Sequence, residues 1–188
     1  MSDDTEEVHF YTPQRWENWI KTLNEEFKEG EGISDDKAGE ISLNMQEDVV
    51  ISCLKIVKSV KNKRISKKKA RMFLDDINNI VLETKDGLHE DVAIILESVQ
   101  ISLLAVIRSC IEWLGKPSTK LSLDELIDLA LSKEEEGDVD GALEAISTLG
   151  ARVISGESMP DIEDIPYSMV VEWLEGIEVI SENLSDDV

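Results

Sequence analysis

The residues best suited to bind a charged partner are nine lysines and arginines gathered between positions 55 and 71. No Asp or Glu interrupts this stretch, although the whole chain of 188 residues carries 41 acidic and 19 basic residues and a formal net charge of −22. A local excess of positive charge on so acidic a protein predicts a binding site for an anion. We name residues 55–71 the basic elbow. Its candidate binding residues are Lys61, Lys63, Arg64, Lys67, Lys68, Lys69 and Arg71.

The elbow joins two predicted helices, and the two halves of the cluster differ in their electrostatics. Lys61 and Lys63 fall at a helix C-terminus, where the helix dipole favours cations. If Ser66 caps the next helix, Lys67–Lys69 occupy its first turn, where the dipole disfavours each cation by about 0.3–1 kcal/mol. A helix N-terminus also presents free N–H groups to an anion. The elbow is therefore predicted to attract a negatively charged group.

The sequence leaves several alternatives for the anion that binds the elbow. Acidic segments of the same chain, at residues 3–7 and 185–187, can fold across it. Among external anions an acidic face of a protein partner is favoured, because the 10 basic and 41 acidic residues outside the elbow repel a long polyanion. RNA or DNA is the alternative, disfavoured also because the stretch has no aromatic residue before Phe73 on which bases could stack. An acidic face of a second copy would give a two-fold homodimer.

Metal and cofactor sites are not predicted. Di-iron helical bundles use Glu-x-x-His on two facing helices, and the two histidines, His9 and His89, do not provide such a pair, because Asp86 precedes His89 by three residues. The Asp138-x-Asp140-Gly141 motif resembles part of a calcium loop. That loop needs a Glu at its twelfth position, where this sequence has a serine.

Catalytic residues are not predicted either. The sequence has no glycine-rich phosphate loop and no nucleophile with a histidine at a meaningful spacing. The least favoured alternative is an enzyme that uses carboxylates such as Glu97, whose pKa would rise if the side chain were buried. The pattern therefore favours a protein that is not an enzyme.

The elements that carry these residues are all predicted to be helices, because apolar residues recur at three- and four-residue spacing and no alternating pattern occurs. The predicted fold is all-α. A four-helix N-terminal bundle surrounds a central apolar helix at about 88–115, and a three-helix extension follows. Capping signals place the helices at about 13–29, 35–61, 67–81 and 88–115, then as a hairpin within 122–156 and a last helix at about 166–184. A break at 115–119 divides the chain into predicted domains at 1–116 and 121–188.

The compartment is predicted to be the cytoplasm. The acidic N-terminus lacks the features of a secretory signal. The charge-free window in the most apolar segment, residues 98–107, is about half of the ~20 residues that a membrane span needs. Cys53 and Cys110 both fall within helical patterns and are expected to be buried free thiols.

The predicted hairpin at residues 122–156 resembles a single tetratricopeptide-type helix pair. The residues that carry the resemblance are Leu126, Ala130, Gly137, Asp138, Ala142, Leu143 and Ala145. Tetratricopeptide repeats stack into concave surfaces that bind peptides, and they need about three copies for stability. One copy therefore favours a simple helical hairpin.

Three short motifs carry a second resemblance: YTPQRWENW at 11–19, LNMQED at 43–48 and VQISL at 99–103. They are similar to an uncharacterised archaeal family, a domain of unknown function found in methanogens and halophiles. The resemblance covers about residues 10–115. It implies an archaeal cytosolic protein and supplies no reaction, cofactor or catalytic residue.

These observations predict a non-catalytic cytosolic adaptor or regulatory protein. It would bind a protein partner through the basic elbow, with the C-terminal hairpin as a further contact surface. A nucleic-acid accessory protein that uses the same elbow is the alternative.

Overall fold

The computed structural model describes residues 9–27 and 32–185, and these residues form seven α-helices and no strand. The predicted all-α class is confirmed. The helices are α1 Pro13–Glu26, α2 Asp35–Lys61, α3 Lys67–Val81, α4 Glu90–Gly115, α5 Leu123–Glu135, α6 Val139–Ile154 and α7 Met169–Ser185.

Capping side chains fix most of the helix starts. The Thr12 hydroxyl accepts from the Arg15 N–H at 3.4 Å, and the Ser66 hydroxyl accepts from the Lys69 N–H at 3.2 Å. Ser122 and Glu125 form a reciprocal capping box, with bonds of 3.1 and 2.6 Å. These are the residues at which the sequence predicts helix starts.

Three predicted boundaries differ from the structure. Helix α1 ends at Glu26, and the predicted end at 28–29 lies outside the described residues. His89 precedes α4 as its N-cap, in an extended conformation, and its Nδ1 accepts from the Asp91 N–H at 3.3 Å. Helix α7 begins at Met169 instead of about 166, because the Ser168 hydroxyl accepts from the Val171 N–H and starts the helix there.

Helix α4 is the centre of the fold. It contacts α1, α2 and α3 on the N-terminal side and α6 and α7 on the C-terminal side. One hydrophobic cluster includes residues of all seven helices, so the core runs across the segment where the sequence predicts a domain boundary. Cys53 and Cys110 are both buried, free thiols.

In the part of the chain that the structure describes, α4 is long enough and apolar enough to be a candidate membrane span. Half of its most apolar stretch is buried inside the protein. A core helix that is surrounded by other helices passes the same test.

Two glycines bring helices close to α4. A Cβ atom added to Gly150 of α6 would lie 2.1 Å from the Ser109 Oγ, and one added to Gly176 of α7 would lie 2.7 Å from the Ser102 carbonyl oxygen. Both serines belong to α4 and are buried. Small residues therefore set the spacing of α6 and α7 against the central helix.

Helices α5 and α6 form one helical hairpin, which turns at Gly137 and Asp138. The Asp138 carboxylate accepts from the Gly141 N–H at 2.9 Å and pairs with Lys133 at 3.1 Å. These two contacts, in that order, lower the pKa of Asp138. The carboxylate thus serves as a helix cap, and the resemblance of the hairpin to a tetratricopeptide pair stays a prediction.

Candidate anion-binding site

The basic elbow is built by the end of α2, a tight turn and the start of α3. Lys63 adopts a left-handed conformation, with φ 57°. Its N–H donates to the Val60 carbonyl at 2.9 Å, and the Arg64 N–H donates to the Ser59 carbonyl at 2.8 Å. This pair of bonds is a Schellman motif, which ends α2 and reverses the chain.

Three cations of the elbow lie on its exposed surface. Lys63, Arg64 and Lys68 are exposed, and no carboxylate within residues 9–27 and 32–185 pairs with them. We name these three residues the outer cations. Among the described residues, no carboxylate therefore balances their positive charge at short range.

Two other residues of the elbow make contacts along α3. Arg71 forms an ion pair with Asp75, with its Nε 3.0 and 3.1 Å from the two carboxylate oxygens. The Lys69 ammonium lies 5.6 Å from the centre of the Phe73 ring. The charge of Arg71 is therefore partly neutralised within the chain, whereas that of Lys69 faces an aromatic ring.

Lys61 and Lys67 turn toward the C-terminal ends of other helices. The Lys61 ammonium donates to the Ile154 carbonyl at the end of α6 at 3.2 Å, and the Lys67 ammonium donates to the Leu114 carbonyl near the end of α4 at 2.5 Å. Carbonyls at a helix C-terminus lack intrahelical partners and carry partial negative charge. Lys67, which is unfavourable at its own helix N-terminus, is thus stabilised by the C-terminus of α4.

These contacts border a cleft of about 630 Å³ between the elbow and the C-terminal ends of α4 and α6. We name it the basic cleft. Its lining residues are Lys61, Lys67, Trp113, Lys116, Pro117, Thr119, Arg152, Ser155 and Glu157. Four of the nine are basic and one is acidic. The fold therefore extends the positive surface beyond the residues predicted from the sequence.

Sequence reasoning missed Lys116 and Arg152. Neither belongs to a basic run, and each lies more than 40 residues from Lys67 along the chain. What they share with Lys61 is a position at or near the C-terminal end of a helix. The clustering of three helix C-termini at one corner is a tertiary feature that no local pattern reveals.

The Arg152 guanidinium is already bound by neighbouring groups of the same chain. Its Nε and Nη2 donate to the two carboxylate oxygens of Glu157 at 2.7 and 2.6 Å, and its Nη1 donates to the Leu121 carbonyl. The pairing lowers the pKa of Glu157 and raises that of Arg152. The remaining cations of the basic cleft are the ammonium groups of Lys61, Lys67 and Lys116.

The structure describes the surroundings of the residues considered for catalysis and metal binding. Glu97 is exposed and is therefore not the buried carboxylate that the enzyme alternative requires. The His89 ring stacks on Phe27 at 3.8 Å. Among the described residues, no three His, Cys, Asp or Glu side chains are placed to hold a metal ion. The acidic segment 3–7 and residues 186–187 lie outside the described residues.

Comparison with curated proteins and with solved structures finds no match. A family model described as "Uncharacterized protein conserved in archaea (DUF2150)" matches residues 9–188. The match confirms the resemblance to an uncharacterised archaeal family and extends it from about 10–115 to nearly the whole chain. The chain belongs to this archaeal family.

Proposed function

We propose that this protein is a non-catalytic cytosolic adaptor or regulatory protein that captures an acidic segment of a protein partner. The observation that carries the proposal is the set of outer cations, Lys63, Arg64 and Lys68, exposed without a carboxylate partner among the described residues. Uncompensated charge of one sign on a body of the opposite sign steers a complementary partner to that surface.

A protein partner is favoured over a nucleic acid by the surroundings of the elbow. Two aromatic rings lie near the elbow, Phe73 and the half-buried Trp113, and each is contacted by one of its lysines. Phe73 is also packed against Phe10 with ring centres 5.0 Å apart and is therefore not free to stack on bases. Outside the elbow the chain carries 41 acidic residues, which repel an extended phosphate backbone.

A groove beside the elbow supports contact with a partner that also presents apolar residues. It lies between α2 and the end of α7 and has a volume of about 540 Å³. Its lining residues are Ile51, Leu54, Lys55, Val57, Lys58, Lys61, Asn183 and Leu184. Apolar side chains flanked by Lys55 and Lys61 suit an acidic amphipathic helix, which lays its apolar face into such a groove.

The hairpin offers a further contact surface. A cleft of about 470 Å³ lies along α5, α6 and the segment that precedes them. Leu129, which is 37% exposed, contributes to its lining. This surface supports the prediction that the C-terminal hairpin takes part in binding.

We expect simultaneous replacement of the three outer cations by glutamate (K63E, R64E and K68E) to reduce partner capture at least about tenfold. The new carboxylates would repel the acidic segment of the partner. The measurement is affinity capture from a lysate of an archaeon that encodes the family. A captured protein is then purified and titrated against the wild type and the variant. Circular dichroism checks that the variant stays folded.

A matched control reverses three cations outside the elbow: Lys21, Arg108 and Lys120, each replaced by glutamate. All three are exposed. Because three cations become three glutamates in both variants, the two variants have the same net charge. Its affinity for the purified partner is expected to stay within about twofold of the wild type. Equal loss of binding in both variants would show a dependence on net charge alone and would reject the elbow as the docking surface.

A further inference from the structure

We propose that the basic cleft binds a small molecule that carries two or more phosphate groups. This site differs from the outer cations proposed above to capture a partner, because Lys61, Lys67 and Lys116 line the cleft whereas Lys63, Arg64 and Lys68 do not. Lys61 also lines the groove beside α2.

The cleft concentrates positive charge from separate elements of the fold. Lys61 comes from the end of α2, Lys67 from the first turn of α3, and Lys116 from the residue after α4. Glu157 is the one carboxylate in the lining, and Arg152 neutralises it. Three ammonium groups therefore remain to balance an anion, and they match a ligand with two or more negative charges.

Two of the ammonium groups are held in position without being saturated. Each ammonium has three N–H donors. Lys61 gives one to the Ile154 carbonyl, and Lys67 gives one to the Leu114 carbonyl. The bonds fix both nitrogens at the border of the cleft and leave donors for a ligand. A site positioned in this way loses little conformational entropy on binding.

The donor set favours phosphate over carboxylate. An arginine fork recognises a planar carboxylate by two parallel bonds, and the fork of Arg152 is already filled by Glu157. Lysine binds phosphate as a point charge. Lys67 also lies in the first turn of α3, and the first-turn N–H groups of a helix favour an anion nearby.

The size and lining of the cleft indicate a small ligand instead of a polymer. Its volume of about 630 Å³ lies within the ~300–1,000 Å³ of small-molecule sites. The half-buried indole of Trp113 provides an apolar wall, with the Lys61 ammonium 5.6 Å from its ring centre. The indole also supplies an optical probe, since a bound anion near Lys61 would alter its fluorescence.

The test uses inorganic pyrophosphate and inorganic phosphate as probes, titrated into the full chain by calorimetry at low ionic strength. We expect saturable binding of pyrophosphate at one site, and binding of phosphate at least about tenfold weaker, because phosphate carries less charge. The double variant K67Q and K116N is expected to weaken pyrophosphate binding at least about tenfold. Glutamine retains a donor for the Leu114 carbonyl, and asparagine tolerates the left-handed conformation of Lys116, φ 61°.

A matched control replaces Lys63 by asparagine and Lys68 by glutamine. Lys63 is left-handed like Lys116, and Lys68 is the neighbour of Lys67 in the first turn of α3. The control therefore makes the same two chemical changes as the test variant, at positions that do not line the cleft. This control is expected to bind pyrophosphate like the wild type. It separates the two proposals, because it removes outer cations and leaves the cleft intact.

A second readout is the tryptophan emission. Pyrophosphate is expected to change it in the wild type and not in the W113F variant. Absence of heat and of an emission change with pyrophosphate would overturn the proposal. Equal weakening in both double variants would overturn it too, since it would show only general attraction to the elbow.

Discussion

Replacing Gly150 by alanine is expected to lower the free energy of unfolding by about 2–3 kcal/mol, although alanine is the better helix former. The added Cβ would lie 2.1 Å from the Ser109 Oγ, 2.6 Å from the Ser109 Cβ and 2.8 Å from the Ile177 Cδ1. Rotation of the hydroxyl relieves the first contact only. The second involves an atom fixed to the backbone of α4, so the helices must move apart.

The matched control is Gly39→Ala. Gly39 lies in α2, is exposed, and has open space where a Cβ would be added. Here the same substitution is expected to leave stability unchanged or to raise it by up to about 1 kcal/mol. Urea unfolding of both variants measures the difference. Equal stability of the two variants would contradict the close approach of α6 to the central helix.

Replacing Asp48 by alanine is expected to cost about 2–3 kcal/mol of stability, because this carboxylate anchors α1 to α2. It accepts from the Trp19 Nε1 at 2.9 Å and forms an ion pair with Arg15. Burial, and then the negative charge of Asp48, raise the pKa of the adjacent Tyr11. Removal of the carboxylate leaves the part-buried indole N–H without its acceptor.

Asp75→Ala provides the comparison for Asp48. Asp75 pairs with Arg71 one turn away, and both side chains are about half exposed. Exposed pairs of this spacing contribute about 0.3–0.5 kcal/mol. Thermal unfolding should therefore separate the two aspartates clearly, and a loss of the same size at both positions would contradict the anchoring role of Asp48.

Local sequence signals were sufficient for the helices and for most of their starts. The caps at Thr12, Ser66 and Ser122 each act within four residues of chain, so their bonds are readable from the sequence. The prediction was less accurate at His89, where a histidine nitrogen replaces the usual capping hydroxyl. It was also less accurate at the start of α7, where Pro166 suggested an earlier helix than Ser168 allows.

The candidate site was only partly predictable. The cluster of cations is a property of the sequence, whereas the direction of each side chain depends on which helix ends lie nearby. Lys67 illustrates the difference, because its unfavourable place in α3 is compensated by the Leu114 carbonyl of α4, which lies 47 residues away. The basic cleft, including Lys116, exists only because the ends of α2, α4 and α6 meet.

The most direct test of partner capture by the basic elbow is affinity purification of the full chain from an archaeal lysate, with and without nuclease treatment. We expect the same partner protein to be retained after nuclease, to carry an acidic segment, and to be lost when the outer cations are reversed. Loss of the captured protein on nuclease treatment, or recovery of nucleic acid as the bound species, would contradict an adaptor that recognises protein.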